Sequence, residues 1–185
     1  MTNPRSFKPT DLFVITTLDT DGKSKIDEGF NKQATMTIIG EIPTVDVVPS
    51  NFVNGFVNTY TMTISSPIPI LLGDRLKFKF PADIVPPADS TLMNCQGRDG
   101  LKVDCQITGR DVIVTFTEVA NKPGGGNYGF SFDNVGNPFS TKTSGGFEGI
   151  KLETAEPYYP ISAYGQPTAG ITNKFSAPLK VYSTN

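Results

Sequence analysis

Histidine is absent from the 185 residues, and so is tryptophan. Without histidine there is no Ser-His-Asp or Cys-His arrangement, no imidazole general base and no His-ligated zinc, copper or haem. Without tryptophan the strongest stacking platform for sugars and bases is missing. Cysteine is reduced to two residues and charged residues to 18%. With 16 Lys+Arg against 18 Asp+Glu the net charge is −2, which gives no electrostatic reason to bind nucleic acid or an anionic membrane. Long apolar runs are also lacking. Ile68–Leu72 is the densest, and Pro69 breaks it, whereas a spanning helix needs about 18 apolar residues.

What is present is punctuation and alternation. Gly 18 and Pro 15 are scattered along the chain, and nowhere do apolar residues recur at the i, i+3, i+4, i+7 spacing of a helix. Between the punctuation marks apolar residues alternate, as strands require. Arg75–Phe80 sets Leu76, Phe78 and Phe80 against Lys77 and Lys79 before Pro81 stops it. Phe56–Ile64 sets Tyr60, Met62 and Ile64 against Thr59, Thr61 and Thr63, and Tyr128, Phe130 and Phe132 alternate with Gly129 and Ser131. Asp111–Thr117 is β-branched. Weaker strands are expected at Leu12–Leu18, Thr35–Ile39, Val45–Val48, Leu101–Ile107, Phe147–Glu153, Ile161–Tyr164 and Leu179–Tyr182. Turn pairs such as Asp21-Gly22, Gly73-Asp74 and Asp99-Gly100 fall between them. Many short strands with polar turns make an all-β fold, an antiparallel Ig-like β-sandwich.

The chain also echoes itself. Asn3-Pro4-Arg5-Ser6 matches Asn137-Pro138-Phe139-Ser140, and Phe13 matches Phe147, both 134 residues apart. Ile26-Asp27-Glu28-Gly29 pairs in order with Ile161 to Gly165, and Asn31-Lys32 with Asn173-Lys174. Residues 1–40 then read as the closing strands of a preceding repeat and 41–185 as one complete sandwich. Such a head must pair its edges with this chain's body or with a neighbour. The competing account is one large sandwich over the whole chain.

Few residues suggest chemistry. Cys95 and Cys105 flank Asp99-Gly100, so a hairpin between them would bring the sulfurs together as a disulfide and imply an oxidising compartment. Two buried free thiols are the alternative. Asp19, Asp21 and Glu28 fall at positions 3, 5 and 12 of an EF-hand-like frame, with Gly22 at 6. They are the calcium candidates, although Thr17 stands at position 1 and the flanks read as strand, which favours a solvated turn. Lys122–Asn127 lacks the G-K-[ST] ending of a phosphate loop. Tyr158 and Tyr159, between Pro157 and Pro160, are the candidates for binding a glycan; their alternative is a core or rim aromatic pair. No N-glycosylation sequon occurs, while 21 Thr and 12 Ser leave O-glycosylation open. No other cofactor is indicated.

Taken in order, Tyr60–Ile64, Gly73–Pro81, Cys95…Cys105 and Gly129–Pro138 resemble the tandem Ig-like β-sandwich repeats of very large, Thr/Ser-rich secreted or cell-surface proteins, as in ciliates. In the head, Phe13–Asp19 and Ile26-Asp27 resemble the end of such a repeat. The resemblance implies a non-enzymatic structural module outside the cell, joined to itself or to neighbouring repeats of the same protein by strand pairing, with no nucleic-acid partner and no membrane insertion. The alternative it leaves is an adhesin or carbohydrate-binding module.

Overall fold

A computed structural model of the chain describes residues 5–12, 14–30, 33, 40–119, 125–139 and 145–171. The expected strands at Thr35–Ile39 and Leu179–Tyr182, and the first half of the Lys122–Asn127 loop, lie outside the described residues. Among those described, β-strands are the regular structure apart from one short helix.

The chain begins with β1 (Val14–Leu18) and β2 (Lys25–Phe30), an antiparallel pair that forms a sheet of its own. Next come β3 (Gly40–Ile42), β4 (Val45–Pro49), β5 (Val57–Ser66), β6 (Arg75–Lys79), helix α1 (Ser90–Met93) and β7 (Gln96–Gly97). The remainder is β8 (Lys102–Thr108), β9 (Asp111–Glu118), β10 (Gly126–Gly136), β11 (Phe147–Glu153), β12 (Pro160–Tyr164) and β13 (Thr168–Ala169). One layer has the order β4-β5-β10-β7; the other runs β3-β12-β11-β6-β9-β8, with β13 beside the start of β11. The chain crosses from one layer to the other at Pro43-Thr44, between β3 and β4. Because β3 pairs parallel to β12 while the other strand pairs are antiparallel, the fold is an antiparallel Ig-like β-sandwich.

Alternation explains the packing. Tyr60, Met62 and Ile64 of β5 and Tyr128, Phe130 and Phe132 of β10 turn inward, as do Leu76 and Phe78 of β6 and Val112, Val114 and Phe116 of β9; all are buried. The layers meet through rings. Phe78 lies 6.4 Å from Phe130 and 6.0 Å from Phe132, and Phe80 meets Phe132 edge-on at 5.5 Å. Each such ring pair adds about 0.5–1.5 kcal/mol beyond area burial.

Two polar anchors sit inside this apolar slab. Asn137 is fully buried at one end. Its Oδ1 accepts from the Tyr60 phenol (2.7 Å) and from Asn58 Nδ2 (2.9 Å), while its Nδ2 donates to the carbonyls of Asn51 and Val53, 2.8 Å each. Burial, with the negative charge of Asp83 adding to it, pushes the Tyr60 phenol pKa up, so Tyr60 stays a donor. At the other end Asp74 is buried and takes both guanidinium nitrogens of Arg5, Nη2 at 2.9 Å, together with the N–H of Leu71 at 2.8 Å.

The strand expectations hold for Val45–Val48, Phe56–Ile64, Arg75–Phe80, Leu101–Ile107, Asp111–Thr117, Phe147–Glu153 and Ile161–Tyr164, with ends shifted by a residue or two. Two features differ. Lys25–Phe30, which alternation alone did not mark, is a strand. In addition, Cys95 and Cys105 do not flank a hairpin: β7 pairs with β10 in one layer and β8 with β9 in the other, and the Asp99-Gly100 turn, both residues at positive φ, carries the chain between layers.

Candidate functional site

The most unusual surface belongs to the head. Residues 5–8 are fastened to the sandwich: Arg5 binds Asp74, Ser6 is buried, and the Phe7 N–H donates to the Pro160 carbonyl at 3.0 Å. The border expected between residues 40 and 41 falls inside β3, which is part of the body. Between these two attachments the β1–β2 hairpin stands clear. Among the described residues its strands pair only with each other, and every residue of β1 is exposed. Leu12, Val14, Ile15, Leu18 and Ile26 are 49–68% exposed. Scattered apolar residues on a surface are ordinary, but five within fifteen positions, four of them on a two-stranded ribbon, are not. An isolated hairpin is marginally stable in water and leaves two edges of unpaired N–H and C=O groups.

The calcium candidates lie at the tip of this hairpin, and the structure does not make a site of them. Asp21 Oδ1 accepts the N–H groups of Lys23 and Ser24 (2.8 Å each) and its Oδ2 accepts the Ser24 hydroxyl (2.5 Å). These bonds hold its pKa below the ordinary carboxylate value. Asp19 caps the N–H of Thr20, and Glu28 is paired with Lys25. The carboxylates serve the turn, each with a different partner. Among the described residues no three His, Cys, Asp or Glu gather into a metal-binding group. The EF-hand frame fails because its ligands converge only when a loop wraps the ion, and here residues 19 and 28 stand on opposite sides of an antiparallel ribbon.

Cys95 and Cys105 are joined in a disulfide with Cα atoms 5.9 Å apart. It ties the β7 side of one layer to β8 of the other. Helix α1 closes the same edge: its N-cap Asp89 accepts from the N–H of Leu92, and Ser90 Oγ accepts from the N–H of Ile107 in β8 at 3.0 Å. The free edge of β8 is thereby partly covered against unwanted pairing.

Tyr158 and Tyr159 sit on the β11–β12 loop, after a cis Glu156–Pro157 bond. Tyr159 is half-buried and exchanges hydrogen bonds with Thr154. Tyr158 is 47% exposed, and one face of its ring is covered by the guanidinium of Arg75.

Sequence reasoning passed over a charged cluster on the outer face of the β6–β11 pair. Glu153, 7% exposed, accepts from Arg75 Nε (3.0 Å), Lys77 Nζ (2.9 Å) and Lys151 Nζ (3.2 Å). Burial alone would raise its pKa; hydrogen bonds from Lys77, Arg75 and Lys151 outweigh that and hold it below the ordinary value. Lys77 and Lys151 stand directly opposite each other, where like charges repel, and the Glu153 carboxylate between them offsets part of that repulsion. Alternating Lys77 and Lys79 in the sequence mark this outer face, but its carboxylate partner lies on another strand.

No family model matches the sequence, and no curated protein matches it significantly. Among solved structures it is similar to a non-cellulosomal cohesin from the hyperthermophilic archaeon Archaeoglobus fulgidus, with a TM-score of 0.40 and 13% identity over 74% of this chain and 92% of that one. The sandwich assignment rests on the sheet order and registers above.

Proposed function

We propose that this protein is a non-enzymatic structural module of an extracellular or cell-surface assembly, joined to neighbouring repeats through strand pairing by its β1–β2 hairpin. One observation carries the reading: a ribbon with open edges and four exposed apolar side chains, held away from a sandwich that already has its own core. Ordered strands with unpaired edges are how sheets join across chains. The disulfide supports a place outside the reducing cytosol. The described residues offer no cluster of metal-binding groups, and the buried carboxylates Asp74 and Glu153 are both paired with cations. The adhesin or carbohydrate-binding alternative has Tyr158 as its best residue, and one face of that ring is taken by Arg75.

Sedimentation velocity tests the reading, on the intact chain and on a variant with residues 14–30 replaced by a short Gly-Ser linker. The intact chain is expected to associate increasingly with concentration, because its ribbon finds other ribbons when no native neighbour is present. The variant is expected to remain a folded monomer. Equal behaviour of the two chains would defeat the proposal.

A further inference from the structure

The β1–β2 ribbon repeats the geometry of one hairpin inside the sandwich. In β1–β2, Leu18 pairs with Lys25, then Thr17 with Asp27 and Thr16 with Glu28, with a bulge at Thr17/Leu18. In β11–β12, Glu153 pairs with Pro160, then Leu152 with Ser162 and Lys151 with Ala163, with a bulge at Leu152/Glu153. All three pairs and the bulge superpose at one offset, 135 residues (153 − 18 and 160 − 25). The loops agree as well: the Asp19 N–H donates to the Ser24 carbonyl at 2.7 Å, and the Thr154 N–H to the Tyr159 carbonyl at 2.9 Å. The sequence echo at Phe13 and Phe147 is one residue shorter. Gly149, at φ +60 where the β6–β11 register breaks, accounts for the extra residue.

At that offset Ile15 corresponds to Ile150 and Ile26 to Ile161. Both body residues are core, 3% and 0% exposed, while Ile15 and Ile26 are 59% and 68% exposed. Identical side chains, in identical registers, are buried in one hairpin and bare in the other. Within the sandwich, β11 lies against β6 and β12 lies parallel to β3, so this hairpin closes the larger sheet.

We propose that β1–β2 is a second closing hairpin, and that its partner is a β-sandwich of this chain's own strand order whose β11–β12 position is vacant. There β1 would pair antiparallel with a β6-type strand, β2 parallel with a β3-type strand, and Ile15 and Ile26 would enter the partner's core. A complete copy of this chain is not the acceptor, because its own β11–β12 fills the slot. The proposal rests on the assembly reading above and names the kind of neighbour that reading requires.

The test moves the ribbon into the slot. In the full chain, Ile15–Gly29 replaces Ile150–Tyr164, residue for residue, and thermal unfolding is followed by near-ultraviolet circular dichroism. A second graft keeps Leu152 and Glu153, so that losing the partner of Arg75 and Lys77 is not mistaken for a wrong register. At least one graft is expected to unfold in a single cooperative transition, and the same graft carrying Ile150→Asp and Ile161→Asp, the slot positions that the grafted isoleucines fill, to lose it. If neither graft folds, or the aspartate graft folds as well as its parent, the slot assignment is wrong. If the grafts fold but removing residues 14–30 leaves association unchanged, the hairpin assignment stands and the assembly reading falls. If association needs the hairpin but no graft folds, the reverse holds.

Discussion

Substituting Asn137 by alanine is expected to be among the most damaging polar changes available in this protein. The side chain is wholly buried and makes four hydrogen bonds. Alanine leaves the Tyr60 hydroxyl buried with no acceptor. It also takes a donor from the Val53 and Asn51 carbonyls, each of which keeps one bond, Asn51 from Asn58 Nδ2 and Val53 from the Phe56 N–H. An abandoned buried polar group costs about 1–3 kcal/mol. With the phenol stranded and two carbonyls each reduced to a single bond, the expected loss is about 2–3 kcal/mol, a sizeable part of the roughly 5–15 kcal/mol that holds a domain together. Tyr60→Phe is much milder. It removes one bond while Asn58 still serves Asn137 Oδ1, so about 1 kcal/mol is expected. In the double variant no phenol remains to be stranded, and its cost should fall short of the sum of the single costs by about 1–2 kcal/mol. Urea unfolding of the four proteins, with equal m-values as the check on two-state behaviour, measures this. An Asn137→Ala cost below about 1 kcal/mol, or strict additivity with Tyr60→Phe, would refute the anchor.

Two further perturbations test the charge cluster and the disulfide. The folded-state pKa of Glu153 lies below its ordinary value of 4.5, so ionised Glu153 contributes stability that is present above that pH and is lost as pH falls through the folded value. Glu153→Gln should therefore be less stable than the parent at pH 7, and the gap should close in acid; a gap independent of pH across denaturant titrations at pH 7 and pH 3 would remove the assignment. Replacing Cys95 and Cys105 with serine should cost about 2–3 kcal/mol, the loop-closure value for a short loop. Reductant should destabilise the parent by a similar amount and leave the serine variant unchanged; a reductant effect on the serine variant would show that the thiol bond is not its source.

How far the sequence discloses this structure depends on whether its signal is local. Leu76-Lys77-Phe78-Lys79-Phe80 alternates because one side of β6 faces the other layer and the other faces water, and that pattern is readable without coordinates. Lys25–Phe30 is a strand as well, but its charged residues lie on a ribbon exposed on both faces, where alternation has no core to report. The same charges suggested calcium, since acidic spacing along a chain does not disclose that an antiparallel register will separate them. The cysteine pair was legible from its spacing, yet the partners of the intervening strands were not: the turn between them crosses layers because β7 finds β10. Glu153 stands two positions from Lys151 but 76 and 78 from Lys77 and Arg75 (153 − 77 and 153 − 75); β6 and β11 bring the four together only once the sheet is formed, and no local pattern encodes that meeting.

The landmarks that gave the chain its internal echo and its resemblance turn out to have physical roles. Tyr60, from the alternating strand, and Asn137, from the Asn-Pro pair, hydrogen-bond to each other in the core. A buried amide with every partner supplied tolerates little exchange, because each neighbour would be left unpaired. The bulge and register shared by the two hairpins are likewise set by position against neighbouring strands, since a one-residue slip would turn Ile161 from core to solvent. Isoleucine at positions 15 and 26, with the same bulge and loop closure between them as in β11–β12, is what a surface that is buried when the hairpin meets its sheet would carry.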